Sequence, residues 1–491
     1  MNADSHPAAA PLDHATIRSI VIGIMLAMFL AALDQTIVAT AMPTIGRELR
    51  DIEHLPWVAS AYLLSATAVT PLYGKLSDIH GRRSILLLGI GIFILGSVAC
   101  ALASSMLVLI FARGLQGLGG GGLISLAQTI IADVVAPRER ARYQGWIASV
   151  FVASSVAGPV LGGFFAEHLH WSMIFWINLP IGCLALVICW RALKKIPVIK
   201  RPHALDILGA VLIIFATVTF LLALTLGGKA YTWGSLQVLG LGALSALATA
   251  TFVWRQFRAP EPLLPPRVLA EPVIRNACFA AFLSSGCMIG TTIFYPLYLE
   301  LVKGLSPSQS GAALVALIIG AVVGSNEAGR FMRRAANYKR ISVFGACLTF
   351  VALMVLSMFG ASMSISLNEI CIFAVGFGLG NLFPVAMVSV QNAADPRDLG
   401  VSTATYGFLR SLGSAIGIAI LGAIGAASGV GVHKSASGDE GEAAKHLLAT
   451  GFSHVFAAAA LTQLLVFLLL IRMEQRPLRE TQSAITETEG A

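Results

Sequence analysis

The chain consists mainly of apolar runs of about 20 residues, separated by short polar stretches. A helix of that length crosses the hydrocarbon core of a bilayer with all of its backbone hydrogen bonds made internally. Apolar runs bounded by Gly, Pro and charged residues predict fourteen spans, and we therefore expect an all-α polytopic membrane protein. The spans cover residues 19–43, 57–74, 84–104, 106–130, 142–165, 173–191, 205–226, 235–254, 276–301, 308–328, 341–360, 367–390, 400–426 and 452–472.

Composition agrees with this pattern, since 56% of the residues are hydrophobic and only 12% are charged. A soluble domain with so few charges has too little polar surface to remain in solution. The seven cysteines lie in apolar runs without CxxC spacing, which favours buried apolar residues over disulfides or metal ligands. We expect no metal, no cofactor and no enzymatic activity.

Most of the 33 Lys and Arg residues fall in segments that are cytoplasmic if the N-terminus is inside. This positive-inside bias predicts cytoplasmic N- and C-termini, and the lack of N-x-[ST] sequons fits a bacterial inner (plasma) membrane. The N-terminal stretch has no basic n-region, so we read it as a tail and not a signal peptide. The net charge of +8 needs no nucleic-acid partner. We expect a monomer in the lipid bilayer.

An internal repeat predicts a duplicated plan. GKLSDIHGRRSILLLG (74–89) and GSNEAGRFMRRAANYKRISVFG (324–345) both place a glycine, a basic loop and a new apolar helix in that order. We expect a binding cavity between two bundles near mid-membrane. The predicted segments are a tail at 1–18, a six-helix bundle at 19–191, a linker with two further helices at 192–272, a second six-helix bundle at 273–472 and a tail at 473–491.

The loop GKLSDIHGRR joins the second and third predicted spans. Gly74 and Gly81 permit a tight reversal, and Asp78 can cap a helix or pair with Arg82 and Arg83. This combination resembles the signature loop of the major facilitator superfamily. The resemblance implies that these five residues take part in gating.

The fourth span, LIFARGLQGLGGGGLISLAQ (109–128), contains an arginine among glycines. Its G-x-G-x-x-G lacks the βαβ context of a dinucleotide site, and such glycines instead let membrane helices approach closely. Arg113 must face a partner or a water-filled cavity. The segment resembles the family's fourth-helix motif, in which such an arginine serves proton coupling.

The fifth span contains SSVAGPVLGGFF (154–165), which resembles a G-P-x-x-G-G element associated with antiporters of the family. Pro159 removes a helix hydrogen bond and can kink the helix. Gly158, Gly162 and Gly163 leave a smooth face that can pack against the opposite bundle and slide. The alternative is a generic kinked helix.

Four further segments resemble the fourteen-span drug:proton antiporters of the superfamily. They are ALDQTIVATAMPTI, WSMIFWINLPIG, FYPLYLELVKGLSPSQSGAAL (294–314) and FLRSLGSAIGIAI (408–420). The resemblance implies the major facilitator fold, with two six-helix bundles and an inserted two-helix hairpin.

Asp34 and Arg113 are the candidate proton-coupling residues. They lie roughly 15 Å and 10 Å from the external ends of their spans, so the long Arg113 side chain can reach Asp34. We expect the two side chains to interact directly or through water. The alternative is a static buried ion pair that only fixes the packing of the bundle.

Candidates for substrate binding are aromatic or polar residues within spans. Aromatic faces suit flat or cationic lipophilic compounds, although each residue also fits ordinary helix packing. Arg410 either donates to backbone carbonyls or faces a cavity, whereas Glu327 is expected to pair with Arg330 or Arg334. The candidates are Tyr62, Gln116, Phe294, Tyr295, Tyr298, Asn381, Tyr406 and Arg410.

The sequence thus predicts a proton-coupled antiporter that exports hydrophobic, often cationic, drugs or toxic compounds by alternating access. A dedicated exporter of one metabolite, siderophore or lipid on the same fold is the alternative. A non-transporting membrane sensor or enzyme is more distant, because no loop is long enough to hold a soluble domain.

Overall fold

A computed structural model of the chain describes nine segments of the sequence, and the described residues are almost entirely helical, with no β-strand among them. The ends of both predicted tails, residues 1–13 and 479–491, lie outside the described residues. The described segments are residues 14–51, 54–135, 137–195, 206–227, 231–260, 262–334, 337–395, 398–428 and 439–478.

The helices follow the predicted spans, and most extend past them into polar residues at one or both ends. In chain order they are α1 (His14–Glu48), α2 (Pro56–His80), α3 (Arg82–Ala101), α4 (Met106–Val134), α5 (Pro137–His168), α6 (Met173–Trp176), α7 (Asn178–Ala192), α8 (Ile207–Leu226), α9 (Leu236–Gln256), α10 (Pro266–Ala270), α11 (Pro272–Leu301), α12 (Pro307–Arg334), α13 (Lys339–Phe359), α14 (Ile365–Ala393), α15 (Leu399–Ala427) and α16 (Asp439–Arg472).

Thirteen helical segments among the described residues are long and apolar enough to cross a membrane, with α6 and α7 forming one of them. Helix α2 has the length of a span but carries Ser, Thr, Tyr and Pro along it, and with α2 the count reaches the fourteen predicted spans. Large apolar side chains are exposed on the surface, including Leu236 (85%), Phe257 (73%) and Phe111 (71%). The chain is a multi-pass membrane protein whose outer surface suits lipid.

The sixth predicted span is confirmed as one candidate span, Met173–Ala192, because Ile177 between α6 and α7 keeps helical backbone angles of φ −61° and ψ −27°. One predicted detail is wrong. The predicted loop at 427–451 is helical from Asp439, so α16 begins well before the predicted residue 452. The physical reason is local, since DEGEAAKHLLAT is rich in Ala, Glu, Leu and Lys, which favour helix even outside the apolar core.

The chain divides into two compact units. The first comprises residues 1–69, 73–135 and 153–205 and contains α1, α3, α4, α6, α7 and parts of α2 and α5. Its helices approach closely at glycines, since a methyl group at Gly119 of α4 would overlap the backbone of Phe93 on α3. Trp171 is buried with Phe175 in an apolar core of this unit.

The second unit comprises residues 70–72, 136–152 and 206–491 and contains α8 to α16. Within it α8 and α9 form a hairpin, joined where the Ser245 hydroxyl donates to the Ala216 carbonyl at 2.9 Å. Small residues again permit close packing, because a methyl group at Gly380 of α14 would overlap Ala321 of α12. The division predicted at 192–272 stays a prediction.

Candidate functional site

A buried ion pair joins α1 to α4 in the first unit. Arg113 Nη1 donates to Asp34 Oδ2 at 2.6 Å, and the two side chains are only 2% and 0% exposed. The predicted contact between these residues is therefore confirmed. Their role in proton coupling stays a prediction.

The other carboxylate oxygen of Asp34 is also occupied. Asp34 Oδ1 accepts from Gln116 Nε2 at 2.8 Å and from Asn178 Nδ2 at 3.0 Å. An ionised carboxylate only accepts hydrogen bonds, so three converging donors fit its charged form. The site in this structure therefore suits a deprotonated Asp34.

Ser97 of α3 supports the two amide side chains from behind. Its Oγ accepts from Asn178 Nδ2 at 2.9 Å and from Gln116 Nε2 at 3.3 Å, and it donates to the Phe175 carbonyl at 3.0 Å. The hydroxyl thus fixes the amides that face Asp34. The resulting polar cluster links α1, α3, α4, α6 and α7.

Arg113 has further partners besides the carboxylate. Its Nε donates to the Val58 carbonyl at 3.1 Å, and its Nη1 also donates to Gln116 Oε1 at 2.6 Å. The ring of Tyr62 lies 4.4 Å from the guanidinium carbon, within range of a cation–π interaction. Arg113 would therefore keep several partners if Asp34 lost its charge.

Glycines allow the helices to come close enough for this cluster to form. A methyl group at Gly96 of α3 would overlap the backbone of Gln116, and one at Gly117 would overlap Ser65 and the Tyr62 carbonyl on α2. Side chains larger than hydrogen would push α4 away from both neighbours. The glycine-rich sequence of α4 thus positions Gln116 and Arg113.

Of the predicted site residues, the structure brings Asp34, Arg113, Gln116 and Tyr62 together in this cluster. Sequence reasoning missed Ser97 and Asn178. Their only signal is a neutral polar side chain within an apolar span, and Asn178 lies within a segment, WSMIFWINLPIG, that the resemblance singled out as a whole.

The turn between α2 and α3 holds a second charged cluster. Arg82 pairs with Asp78, as predicted, and its Nε also contacts Asp133 Oδ2 at 2.9 Å. Gly81 separates the two helices with φ 89° and ψ 143°, a conformation that favours glycine. Asp133, at the end of α4, is a partner that the sequence did not indicate.

Two other members of the predicted loop behave differently. Arg83 was expected near Asp78, but its guanidinium carbon lies 5.8 Å from the ring centre of Trp190. It lies one residue beyond Arg82 on α3, where a helix turns side chains by about 100° and points Arg83 toward α7. Gly74 is buried within α2, where its carbonyl accepts from the Ser77 hydroxyl at 2.8 Å.

The glycine face of α5 contacts α1 within the first unit. A methyl group at Gly158 would overlap the hydroxyl of Thr36, and one at Gly162 would overlap that of Thr40. Within the first unit the space beside these two glycines is therefore filled by threonines of α1, and the predicted packing against the opposite bundle stays a prediction. Gly163 has open space beside it, and the Pro159 side chain lies outside the described residues.

The tyrosines proposed for α11 lie in the apolar core of the second unit. Tyr295 and Tyr298 are 0% and 2% exposed, and Tyr298 packs edge-on against Phe452 and Phe456. Phe294 belongs to the same core. These contacts fit the packing alternative better than a substrate surface.

The other candidates in the second unit do not join that core group. Asn381 is fully buried against Gly345 of α13. The Tyr406 hydroxyl donates to the Phe383 carbonyl at 3.1 Å, and the Arg410 guanidinium carbon lies 5.3 Å from the Phe383 ring centre. The expected donation from Arg410 to backbone carbonyls is not found among the described residues of this unit.

Glu327 behaves as the sequence predicts. It pairs with Arg330 one turn further along α12, and both side chains are substantially exposed. This position near the end of α12 fits an interfacial pair.

The long apolar helices and the buried polar cluster define a multi-pass membrane protein with an ionisable site inside its helices. The chain belongs to the Major Facilitator Superfamily, whose family model matches residues 24–418. Members of this superfamily are transporters, not enzymes.

Two relatives illustrate the sequence similarity. The chain is 36% identical over 420 residues to an uncharacterised MFS-type transporter of Mycobacterium tuberculosis, covering 85% of this chain and 61% of that relative's length. It is 33% identical over 410 residues to Multidrug resistance protein 3 of Bacillus subtilis, covering 84% of this chain and 80% of the relative.

A solved structure shows the same fold. The crystal structure of the human organic anion transporter MFSD10 matches with a TM-score of 0.63, covering 92% of this chain and 99% of that one. The identity between the two sequences is 19%, so this likeness concerns the fold alone.

Proposed function

We propose that the chain is a proton-coupled antiporter that exports hydrophobic compounds by alternating access. The observation that carries this proposal is the carboxylate of Asp34, fully buried in the first unit and held by Arg113, Gln116 and Asn178. Ionisable residues inside membrane helices are costly, and they commonly mark proton relays in pumps and transporters.

Protonation of Asp34 changes the contacts that hold the cluster together. The neutral carboxyl loses its Coulomb attraction to Arg113, which amounts to about 4 kcal/mol at about 4 Å and an effective dielectric constant of about 20. One of its oxygens also becomes a donor and can no longer accept freely. An energy of this size shifts a conformational equilibrium roughly 1,000-fold, which is enough to couple proton binding to a change of state.

The static ion pair is the rival interpretation of the same contacts. A hydrogen-bonded cluster that links several helices also stabilises the fold, whether or not it takes up a proton. The two interpretations predict different outcomes for a variant in which both charges are removed together. A static pair then leaves transport driven by the pH gradient intact.

The export of drugs is supported by relatives. Multidrug resistance protein 3 of Bacillus subtilis, at 33% identity, is named for drug resistance, and a further relative from the same organism is named multidrug transporter protein MdtP. We extend this to hydrophobic, often cationic, drugs or toxic compounds. The positive-inside bias supports cytoplasmic termini, and the lack of N-x-[ST] sequons supports a bacterial inner (plasma) membrane.

Proton-driven export can be tested in proteoliposomes clamped at zero membrane potential. Each unit of pH difference is worth about 1.4 kcal/mol, so one exchanged proton supports a roughly tenfold substrate gradient per unit. We expect wild type to accumulate ethidium against its gradient and Asp34→Asn only to equilibrate it. Asp206→Asn is the matched control, because Asp206 is also buried and paired, with Arg255 at 2.7 Å in the second unit. Uphill transport by Asp34→Asn at the wild-type rate would contradict the proposal.

A further inference from the structure

Arg410 is a cation deep inside a membrane helix. It lies on α15 (Leu399–Ala427), about 16 Å from the Leu399 end and about 25 Å from the other end at 1.5 Å per residue. The side chain is partly buried. A charge at this depth is costly unless it faces protein or a water-filled cavity.

The described surroundings of Arg410 supply no anion. Its guanidinium carbon lies 5.3 Å from the ring centre of Phe383, and no ion pair or hydrogen bond from its side chain occurs among the described residues of the second unit. The nearby hydroxyls are engaged elsewhere. Tyr406 donates to the Phe383 carbonyl, while Ser285 and Ser414 donate to the backbone carbonyl of Arg410 itself.

The contrast with Arg113 is informative. Arg113 has a carboxylate, an amide oxygen and a backbone carbonyl as acceptors, so its charge is compensated within the protein. Arg410 has only an aromatic face within the described part of its unit. A ring face at 5.3 Å occupies none of the N–H donors of Arg410, so its guanidinium can still bind a planar anion in bidentate fashion.

We infer that Arg410 binds an acidic group, such as a carboxylate or sulfonate, of the lipophilic compound that is transported. This inference rests on the proposed export function and concerns the substrate class. The Phe383 ring contributes apolar surface beside the charge, which suits a molecule with an aromatic body and an acidic edge.

The inference revises the substrate charge that the sequence predicts. An uncompensated cation disfavours another monovalent cation at about 10 Å by on the order of tenfold in affinity, at an effective dielectric constant of about 20. The same field favours an anion by a similar factor. Arg410 therefore favours acidic compounds relative to cationic ones by this factor, while cations such as ethidium remain substrates of lower affinity.

Substrate charge also sets the electrical behaviour of the exchange. One proton moving inward against one monovalent anion moving outward transfers two charges, whereas a neutral substrate transfers one and a cation none. About 60 mV shifts the equilibrium gradient roughly tenfold for each charge transferred. An anionic substrate should thus respond about 100-fold to 60 mV, and a cationic one not at all.

The test compares two probes in proteoliposomes, with 8-anilino-1-naphthalenesulfonate as the anion and ethidium as the cation. We expect wild type to transport the sulfonate with the two-charge voltage dependence and Arg410→Gln to lower that transport at least tenfold relative to ethidium. Arg410→Lys keeps the charge but lacks the planar fork, so it should keep only part of the preference for the sulfonate. Arg258→Gln is the matched control, because Arg258 also stacks on a ring, that of Trp254 at 4.7 Å, and should change neither rate more than twofold.

The possible failures are distinguishable. If wild type moves ethidium uphill but not the sulfonate, or if Arg410→Gln lowers both rates equally, the inference is wrong and the proposed export stands. If wild type moves neither probe against a pH gradient, the proposed function itself is contradicted. If Arg410→Gln does not fold, Arg410→Lys takes its place, and an equal loss of both transport rates in that variant overturns the inference.

Discussion

Removing both charges of the Asp34–Arg113 pair separates its contribution to stability from its contribution to coupling. The perturbation is a double-mutant cycle of Asp34→Asn, Arg113→Gln and the combined variant. Both side chains lie within the first unit and are at most 2% exposed, so each single change leaves an uncompensated buried charge.

The structure sets the expected sizes of these effects. Loss of one partner of a buried pair costs about 3–5 kcal/mol of unfolding free energy. In Asp34→Asn, Arg113 keeps Gln116 Oε1, the Val58 carbonyl and the Tyr62 ring as partners. The loss of unfolding free energy in this variant should therefore lie near the lower end of that range, at about 3 kcal/mol. The combined variant buries no charge and should lie within about 2 kcal/mol of wild type, which gives a coupling energy of at least about 4 kcal/mol.

Stability is measured by denaturant unfolding in detergent micelles, followed by tryptophan fluorescence. Asp206→Asn again provides the control, since it breaks the Asp206–Arg255 contact but retains a side chain that can cap α8. If the losses of unfolding free energy in the two single variants add up to the loss in the combined variant within about 0.5 kcal/mol, the two charges do not interact in the folded protein.

Transport by the combined variant decides between the two interpretations of the pair. With a pH difference of two units at zero potential, one exchanged proton supports a gradient of about 100-fold. We expect wild type to approach this limit and the folded combined variant only to equilibrate the probe. A combined variant that still accumulates the probe near 100-fold would refute proton coupling at Asp34 and leave the static ion pair.

Three further changes test the packing around the site. Gly158→Ala should reduce export at least tenfold or lower the unfolding free energy by about 1–3 kcal/mol, because the added methyl group overlaps α1. Gly163→Ala has open space for its methyl group and should change neither the transport rate nor the melting temperature. Gly81→Ala should lower unfolding free energy by about 1–3 kcal/mol, because φ is 89°, while Gly114→Ala, in open helix surface, should not destabilise. Tyr62→Leu should cost about 0.5–2 kcal/mol through loss of the ring stacked under the guanidinium, and Tyr62→Phe should keep that stability; equal melting temperatures would contradict the stacking.

The spans could be read from the sequence because a bilayer demands about 20 apolar residues per crossing. The start of α16 at Asp439 could not be predicted, because hydropathy indicates which residues lie in the hydrocarbon core and not where a helix begins.

The Asp34–Arg113 contact could be predicted because two opposite charges in a low dielectric must find each other or water, and 1.5 Å per residue fixes their depths. The participation of Asn178 and Ser97 in the cluster could not be predicted. Neutral polar side chains are tolerated in a span at small cost, so their presence does not require a partner. Which way they face depends on helix rotation, and packing decides that.

Charge balance connects the two proposals. In the first unit Asp34 and Arg113 cancel, so that unit changes its net charge only when a proton binds. In the second unit Arg410 has no anion among the described residues, so its charge is balanced only when an acidic compound binds. If proton and substrate thus occupy different units, they need not compete for one carboxylate, and their exchange must arise from opposite preferences for the same conformations. Linkage then requires that the proton weaken substrate binding by the same factor by which substrate weakens proton binding.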